Sequence, residues 1–88
     1  MSWFVYMIES EKGKIYTGIT TDVERRFKEH KEKKCGAKFF HSDPPKKIVR
    51  VEEAPDRSVA SKREAQIKKL TRAQKIELIK LSQSEGSK

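Results

Sequence analysis

The chain has 88 residues, enough for one domain with a thin core and too few for two. Hydrophobic residues make up 34% and charged residues 39%, and no apolar run approaches the ~20 residues that a membrane-spanning helix needs. Lys and Arg number 21 against 13 acidic residues, a net charge of +8 that directs attention to polyanionic partners, nucleic acid first among them.

Residues 3–9 (WFVYMIE) are aromatic and β-branched and predict a strand. One face carries Trp3, Val5 and Met7, the other Phe4, Tyr6 and Ile8. Ser10-Glu11-Lys12-Gly13 reads as a turn and residues 14–20 (KIYTGIT) as a second strand, so the pair predicts an antiparallel hairpin. Thr21-Asp22-Val23-Glu24 has the capping-box pattern, with the Thr21 hydroxyl as N-cap of a helix over residues 22–33 that buries Val23 and Phe27.

Residues 34–47 are the least regular, with Gly36 and the Pro44-Pro45 pair arguing for loops. Residues 47–53 (KIVRVEE) alternate and predict a third strand. A second helix follows over residues 58–70, with Ser58 as its cap and Ala60, Glu64 and Ile67 on one face. Thr71-Arg72-Ala73-Gln74 is another capping box, opening a third helix through Leu81 with Ala73, Ile76 and Ile79 as its apolar residues. The expected architecture is one α+β domain over residues 1–81, a three-stranded antiparallel sheet flanked by helices in the order β-β-α-β-α-α, with residues 82–88 as a polar, flexible tail.

Cys35 is the only cysteine, which excludes an intramolecular disulfide and suits a reducing compartment. The start, MSWFVYMIES, lacks the basic region and cleavage site of a signal peptide. A cytoplasmic location with no membrane association is the expectation.

Five polar residues stand at informative places. Tyr6 and Tyr16 lie in paired strands, and Gly18 inside the second strand marks a close approach. Arg26 and His30 are four apart and project from one helix face. Glu64 shares the apolar stripe of the second helix, a poor place for a carboxylate without a partner or a metal. Each also has an ordinary reading: a core tyrosine, a solvated arginine, a helix-terminating histidine, and an i,i+4 pair of Glu64 with Lys68.

Taken together, the segment from Val5 to Glu64 resembles the GIY-YIG endonuclease superfamily, in its small stand-alone bacterial branch. Phe4-Val5-Tyr6 stands for the first motif and Tyr16-Thr17-Gly18 for the second; Arg26 follows ten residues after Tyr16, His30 one helical turn later, and REAQIKK supplies Glu64. The chain departs from the pattern with Phe4 in place of the first glycine and Thr17 in place of isoleucine. Ile19 stands where some members carry a lysine, and the chain contains no asparagine.

The resemblance implies a metal-dependent endonuclease that hydrolyses phosphodiester bonds, with DNA favoured over RNA. Its expected site is Tyr6 as general base, Tyr16 orienting water or phosphate, Arg26 on a phosphate oxygen, His30 as proton relay, and Glu64 holding Mg²⁺, or Mn²⁺ in its place. Lys12, Lys14, Lys31, Lys38 and Lys46 are expected to meet backbone phosphates. A non-catalytic nucleic-acid-binding module retaining the fold is the alternative, and a protein-interaction module docking through the C-terminal helices is a third reading.

Overall fold

Strand-forming residues in strict alternation build the centre of the molecule. The computed structural model describes residues 2–32 and 43–86, with side chains as far as residue 81. Its elements are β1 (Trp3–Ser10), β2 (Ile15–Thr20), α1 (Val23–Lys31), β3 (Pro45–Ala54), α2 (Arg57–Lys68) and α3 (Arg72–Gly86). The order and the α+β class are those expected from the sequence. All pairing is antiparallel, and the strands lie in the order β2-β1-β3, so β1 is central and β2 and β3 are edges.

The β1–β2 turn closes through Ser10 N–H donating to Lys14 O at 2.8 Å and Gly13 N–H donating to Ser10 O at 2.9 Å. Gly13 has φ +85°, a conformation that costs glycine little and other residues more. The register pairs Tyr6 with Gly18 and Ile8 with Tyr16, which puts these four on one face; Val5 with Ile19 and Met7 with Thr17 share the other.

Each face is covered by helix. α1 lays Val23 and Phe27 over Tyr6 and Ile8, with Tyr16 and Ile48 alongside. On the opposite face Val5, Met7 and Ala54 meet Ala60 and Ile67 of α2 and Ile79 of α3. Val5, Met7, Ile8 and Ile67 are fully buried, and each such side chain contributes about 1.5–3 kcal/mol by leaving water. Ala73, grouped with the apolar residues of the third helix, is exposed.

Several boundaries differ from the sequence expectations for local reasons. The α1 N-cap is Asp22, whose carboxylate accepts from Arg25 N–H at 3.1 Å, in place of Thr21. Asp56, whose Oδ1 accepts from Val59 N–H at 2.9 Å, starts α2 before Ser58 can cap it. In both places a carboxylate lies within a residue or two of the hydroxyl, and aspartate is the equal or better cap. The third box forms as read, with Thr71 N–H donating to Gln74 Oε1 at 2.9 Å and Gln74 N–H to Thr71 Oγ1 at 3.2 Å.

β3 begins at Pro45, inside the expected loop, because a proline at the start of an edge strand forfeits no ladder bond. A register shift between Met7 and Ile8 inserts Val49 as an extra residue on β3. α3 runs five residues beyond the expected Leu81 boundary, to Gly86. The irregular segment, with Cys35, Lys38, Phe39, Phe40 and His41, lies outside the described residues. No described helix is long and apolar enough to cross a membrane.

Candidate active site

Three of the five expected site residues meet on the α1 face of the sheet. Tyr6 Oη and His30 Nε2 share a hydrogen bond of 3.1 Å. Ring centroids are 6.2 Å apart for Tyr6 and Tyr16, 6.2 Å for Tyr6 and His30, and 5.3 Å for Tyr16 and His30, the last pair edge to face. The hairpin register sets the two tyrosines on a diagonal, and α1 delivers the histidine from its last turn.

Gly18 makes this triangle possible. A Cβ built there would stand 2.6 Å from Tyr6 Oη, 2.8 Å from Tyr6 Cζ and 3.1 Å from Tyr16 Cε2. The glycine is therefore a recess for the phenols, as its place inside a strand suggested.

Exposure divides the cluster into two layers. Tyr6 and His30 are 2% and 3% exposed, whereas Tyr16 is partly exposed. Arg26, one turn before His30 on α1, keeps 36% of its side chain exposed and pairs with Glu29 at 3.4 Å. Burial lowers the His30 pKa from its ordinary 6.5, the Arg26 charge lowers it further, and Glu29 opposes both. The imidazole is consequently neutral at pH 7. Glu29 was not singled out in the sequence; its i,i+3 spacing from Arg26 was the available signal.

Glu64 is supplied by another helix. It belongs to α2, which packs on the opposite sheet face against β2 and β1. Its side chain is 24% exposed and pairs with Lys68 at 3.3 Å, the ordinary i,i+4 contact. Because β2 is an edge strand, the two faces are separated there by one strand only.

The donor set around Glu64 limits which ion it fits. Among the described residues no group of three or more His, Cys, Asp or Glu converges. A single partly exposed carboxylate suits Mg²⁺, an ion that retains several waters and is bound through one or two carboxylates plus substrate phosphate.

The expected phosphate-contacting lysines Lys12, Lys14, Lys31 and Lys46 are all exposed, and Lys38 lies outside the described residues. Lys31 Nζ sits 5.5 Å over the Phe27 ring. Lys12 and Lys14 are held by a clamp that sequence reasoning missed. Buried Asp43 accepts from Ser10 Oγ at 2.6 Å and from Lys12 N–H at 2.9 Å, while Lys14 N–H donates to Ser10 Oγ at 2.9 Å. Burial works against the Asp43 charge, but the Ser10 and Lys12 hydrogen bonds and the Lys12 and Lys14 charges outweigh it and hold the pKa below the ordinary value. Ile19, the departure from a family lysine, packs into the cluster of Val5 and Met7 on the other sheet face.

The GIY-YIG catalytic domain matches residues 2–77. A UPF0213 protein of Syntrophus aciditrophicus is 46% identical over 77 residues, 88% of each chain. A UPF0213 protein of Desulfotalea psychrophila is 44% identical over 82 residues, 93% of this chain and 74% of its own length. The Escherichia coli UPF0213 protein YhbQ is 43% identical over 88% of this chain and 76% of its own. The solution structure of a UPF0213 protein from Bacillus halodurans is similar with a TM-score of 0.59 and 38% identity, covering 92% of this chain and 85% of that one. With the paired tyrosines, the histidine beneath them and the domain match in agreement, the chain belongs to the GIY-YIG family, a nuclease superfamily, and to its UPF0213 relatives.

Proposed function

We propose that the protein is a metal-dependent endonuclease that hydrolyses phosphodiester bonds in nucleic acid, DNA in preference to RNA, within the cytoplasm. The observation that carries the proposal is the Tyr6–His30 hydrogen bond beneath Tyr16, in a recess kept open by Gly18. A phenol of ordinary pKa near ~10 is a weak base at neutral pH. A phenol bonded to a neutral imidazole can take a proton from water while passing its own to that imidazole. With the His30 proton on Nδ1, Tyr6 would donate to Nε2 and stand in this relation, and burial and the Arg26 charge both favour the neutral imidazole.

In this reading the oxygen of water attacks phosphorus as its proton moves to Tyr6 Oη and the Tyr6 proton moves to His30 Nε2. The bond from phosphorus to the leaving oxygen breaks, and that oxygen takes a proton from solvent. Arg26 exchanges its exposed pair with Glu29 for a non-bridging phosphate oxygen, using a guanidinium fork suited to that geometry. Tyr16, the reachable phenol, orients water or phosphate above the buried pair. Glu64, now paired with Lys68, would be the residue to hold Mg²⁺ or Mn²⁺, and the ion would supply Lewis-acid stabilisation of the developing charge.

The test is a cleavage panel of supercoiled plasmid, branched and single-stranded DNA, and RNA, with Mg²⁺, Mn²⁺ or EDTA. Metal-dependent scission is the expected result, lost in Tyr6→Phe. Scission retained in Tyr6→Phe but lost in Tyr16→Phe would move the base to the exposed phenol. Salt-sensitive binding with no scission on any substrate would favour the non-catalytic binding module, which the net charge of +8 also fits.

A further inference from the structure

A second cationic site lies at the hairpin end of the sheet, on the α2/α3 side. Lys14, Arg72 and Lys75 line a cavity of about 130 Å³ around Ile15, with no acidic residue among its lining. It adjoins a cavity of about 270 Å³ floored by Ile15, Val49, Ile76 and Ile79, and Ile15 and Arg72 belong to both. Glu9, the one carboxylate lining the larger cavity, pairs with Lys47 at 3.8 Å.

Among the described residues no ion pair compensates Arg72 or Lys75, and the first turn of α3 contains no acidic residue. Both sit where the helix dipole is positive, so their charges are opposed by the backbone as well as by each other. Lys14 is sensed by Asp43, but the Asp43 oxygens already accept from Ser10 and Lys12. Arg72 Nη2 lies 3.8 Å from the position a Gly13 Cβ would take, so the guanidinium rests on the β1–β2 turn. Three like charges gathered around an apolar floor favour an external polyanion.

We propose that Lys14, Arg72 and Lys75 form a phosphate-binding subsite that engages the nucleic-acid backbone beside the reacting phosphodiester. The subsite rests on the proposed nuclease reading for its ligand. The link is β2: Lys14 precedes Tyr16 by two residues, ~7 Å of strand, and Tyr16 and Ile15 point to opposite faces of that edge. A strand passing the β2 edge therefore meets the tyrosines on one side and this cationic cavity on the other. Phosphate contacts of this kind fix register and supply affinity without selecting sequence.

The experiment measures binding of a labelled DNA duplex against salt for the whole chain, for Arg72→Ala/Lys75→Ala, and for a charge-matched control, Lys62→Ala/Lys69→Ala, with cleavage followed in parallel. Thermal melting establishes that each variant is folded, and Arg72→Gln/Lys75→Gln serves should the alanine pair destabilise. The subsite variant is expected to bind at least tenfold more weakly at low salt. Its log–log salt slope should fall by about 2, near the ~0.9 lost per phosphate contact. Cleavage at subsaturating DNA should fall in step with the lost affinity. Equal loss in the control pair, no loss in either, or no DNA affinity in wild type would overturn the subsite. So would retention on anionic phosphatidylglycerol vesicles, in preference to DNA, that depends on Arg72 and Lys75. A wild type that binds DNA through Arg72 and Lys75 but cuts nothing would refute the nuclease reading and leave the subsite standing.

Discussion

Adding one methyl group at Gly18 tests whether the phenol recess is as tight as the geometry requires. In Gly18→Ala the new Cβ falls 2.6 Å from Tyr6 Oη and 2.8 Å from Tyr6 Cζ. To regain the 3.4 Å of ordinary contact the phenol must retreat by roughly 0.8 Å, and it is 2% exposed and hydrogen-bonded to His30. Overpacking of this kind costs about 1–3 kcal/mol, and weakening the Tyr6–His30 hydrogen bond adds ~1 kcal/mol. The gain from replacing glycine in a strand returns about 0.5–1 kcal/mol. A net loss of ~2 kcal/mol corresponds to roughly 8–16 °C in Tm for a domain of this size. Calorimetry of wild type, Gly18→Ala, Tyr6→Phe and the double variant measures it. The double variant should recover part of the Gly18→Ala cost, because the 2.6 Å contact is with the deleted oxygen. A Gly18→Ala protein melting within 2 °C of wild type, or a cycle with no coupling, would refute the recess.

Other consequences follow from the titrating groups and the ion-pair network. Glu52 accepts from Arg63 Nε at 2.8 Å and Nη2 at 3.1 Å and from Arg50 Nε at 2.8 Å, tying β3 to α2, and Arg50 Nη1 reaches Leu78 O of α3 at 3.1 Å. Arg63→Ala should cost about 1–3 kcal/mol in urea melts, below the ~3–5 kcal/mol of a fully buried pair, because the Arg63 side chain is 35% exposed. The Arg63 hydrogen bond, set against burial and aided by Arg50, lowers the Glu52 pKa, as Ser10 and Lys12 lower that of Asp43. Depressed carboxylates stabilise the fold above their unfolded values near ~4. The carboxylate contribution to the urea midpoint should therefore hold from pH 7 to about 5 and be lost below 4, with Asp43→Asn and Glu52→Gln flattening that acid limb. His30 should titrate by NMR below 6.5, moving up in Arg26→Ala and down in Glu29→Gln. Its lowered value makes the unfolded chain the better proton acceptor, so its contribution to stability declines as pH falls below 6.5. A His30 midpoint above 6.5 would contradict the buried neutral imidazole.

The pattern of alternating apolar residues made β1 and β2 legible, and their hairpin forced Tyr6 and Tyr16 together. The i,i+4 spacing of Arg26 and His30 likewise survived into α1. Local rules did not reveal that α2, which carries Glu64, would pack on the sheet face opposite α1, because the face a helix covers is decided by connections and not by its own periodicity. The Asp43 clamp was hidden for a similar reason: Asp43 reaches Ser10 across 33 residues, and an aspartate before two prolines reads locally as loop. Arg50 and Glu52 share one face of β3, and only the packing of α2 brings Arg63 to that face.

The central claim is that a buried phenol–imidazole pair and a carboxylate on the far side of β2 serve one phosphodiester. Single-turnover DNA cleavage at saturating Mg²⁺ by wild type, Tyr6→Phe and Glu64→Gln tests it most directly. The Glu64–Lys68 pair contributes only about 0.3–0.5 kcal/mol, so Glu64→Gln should melt like wild type. The account predicts a loss of at least ~100-fold in rate for each folded variant. Equal rates in all three proteins would contradict it.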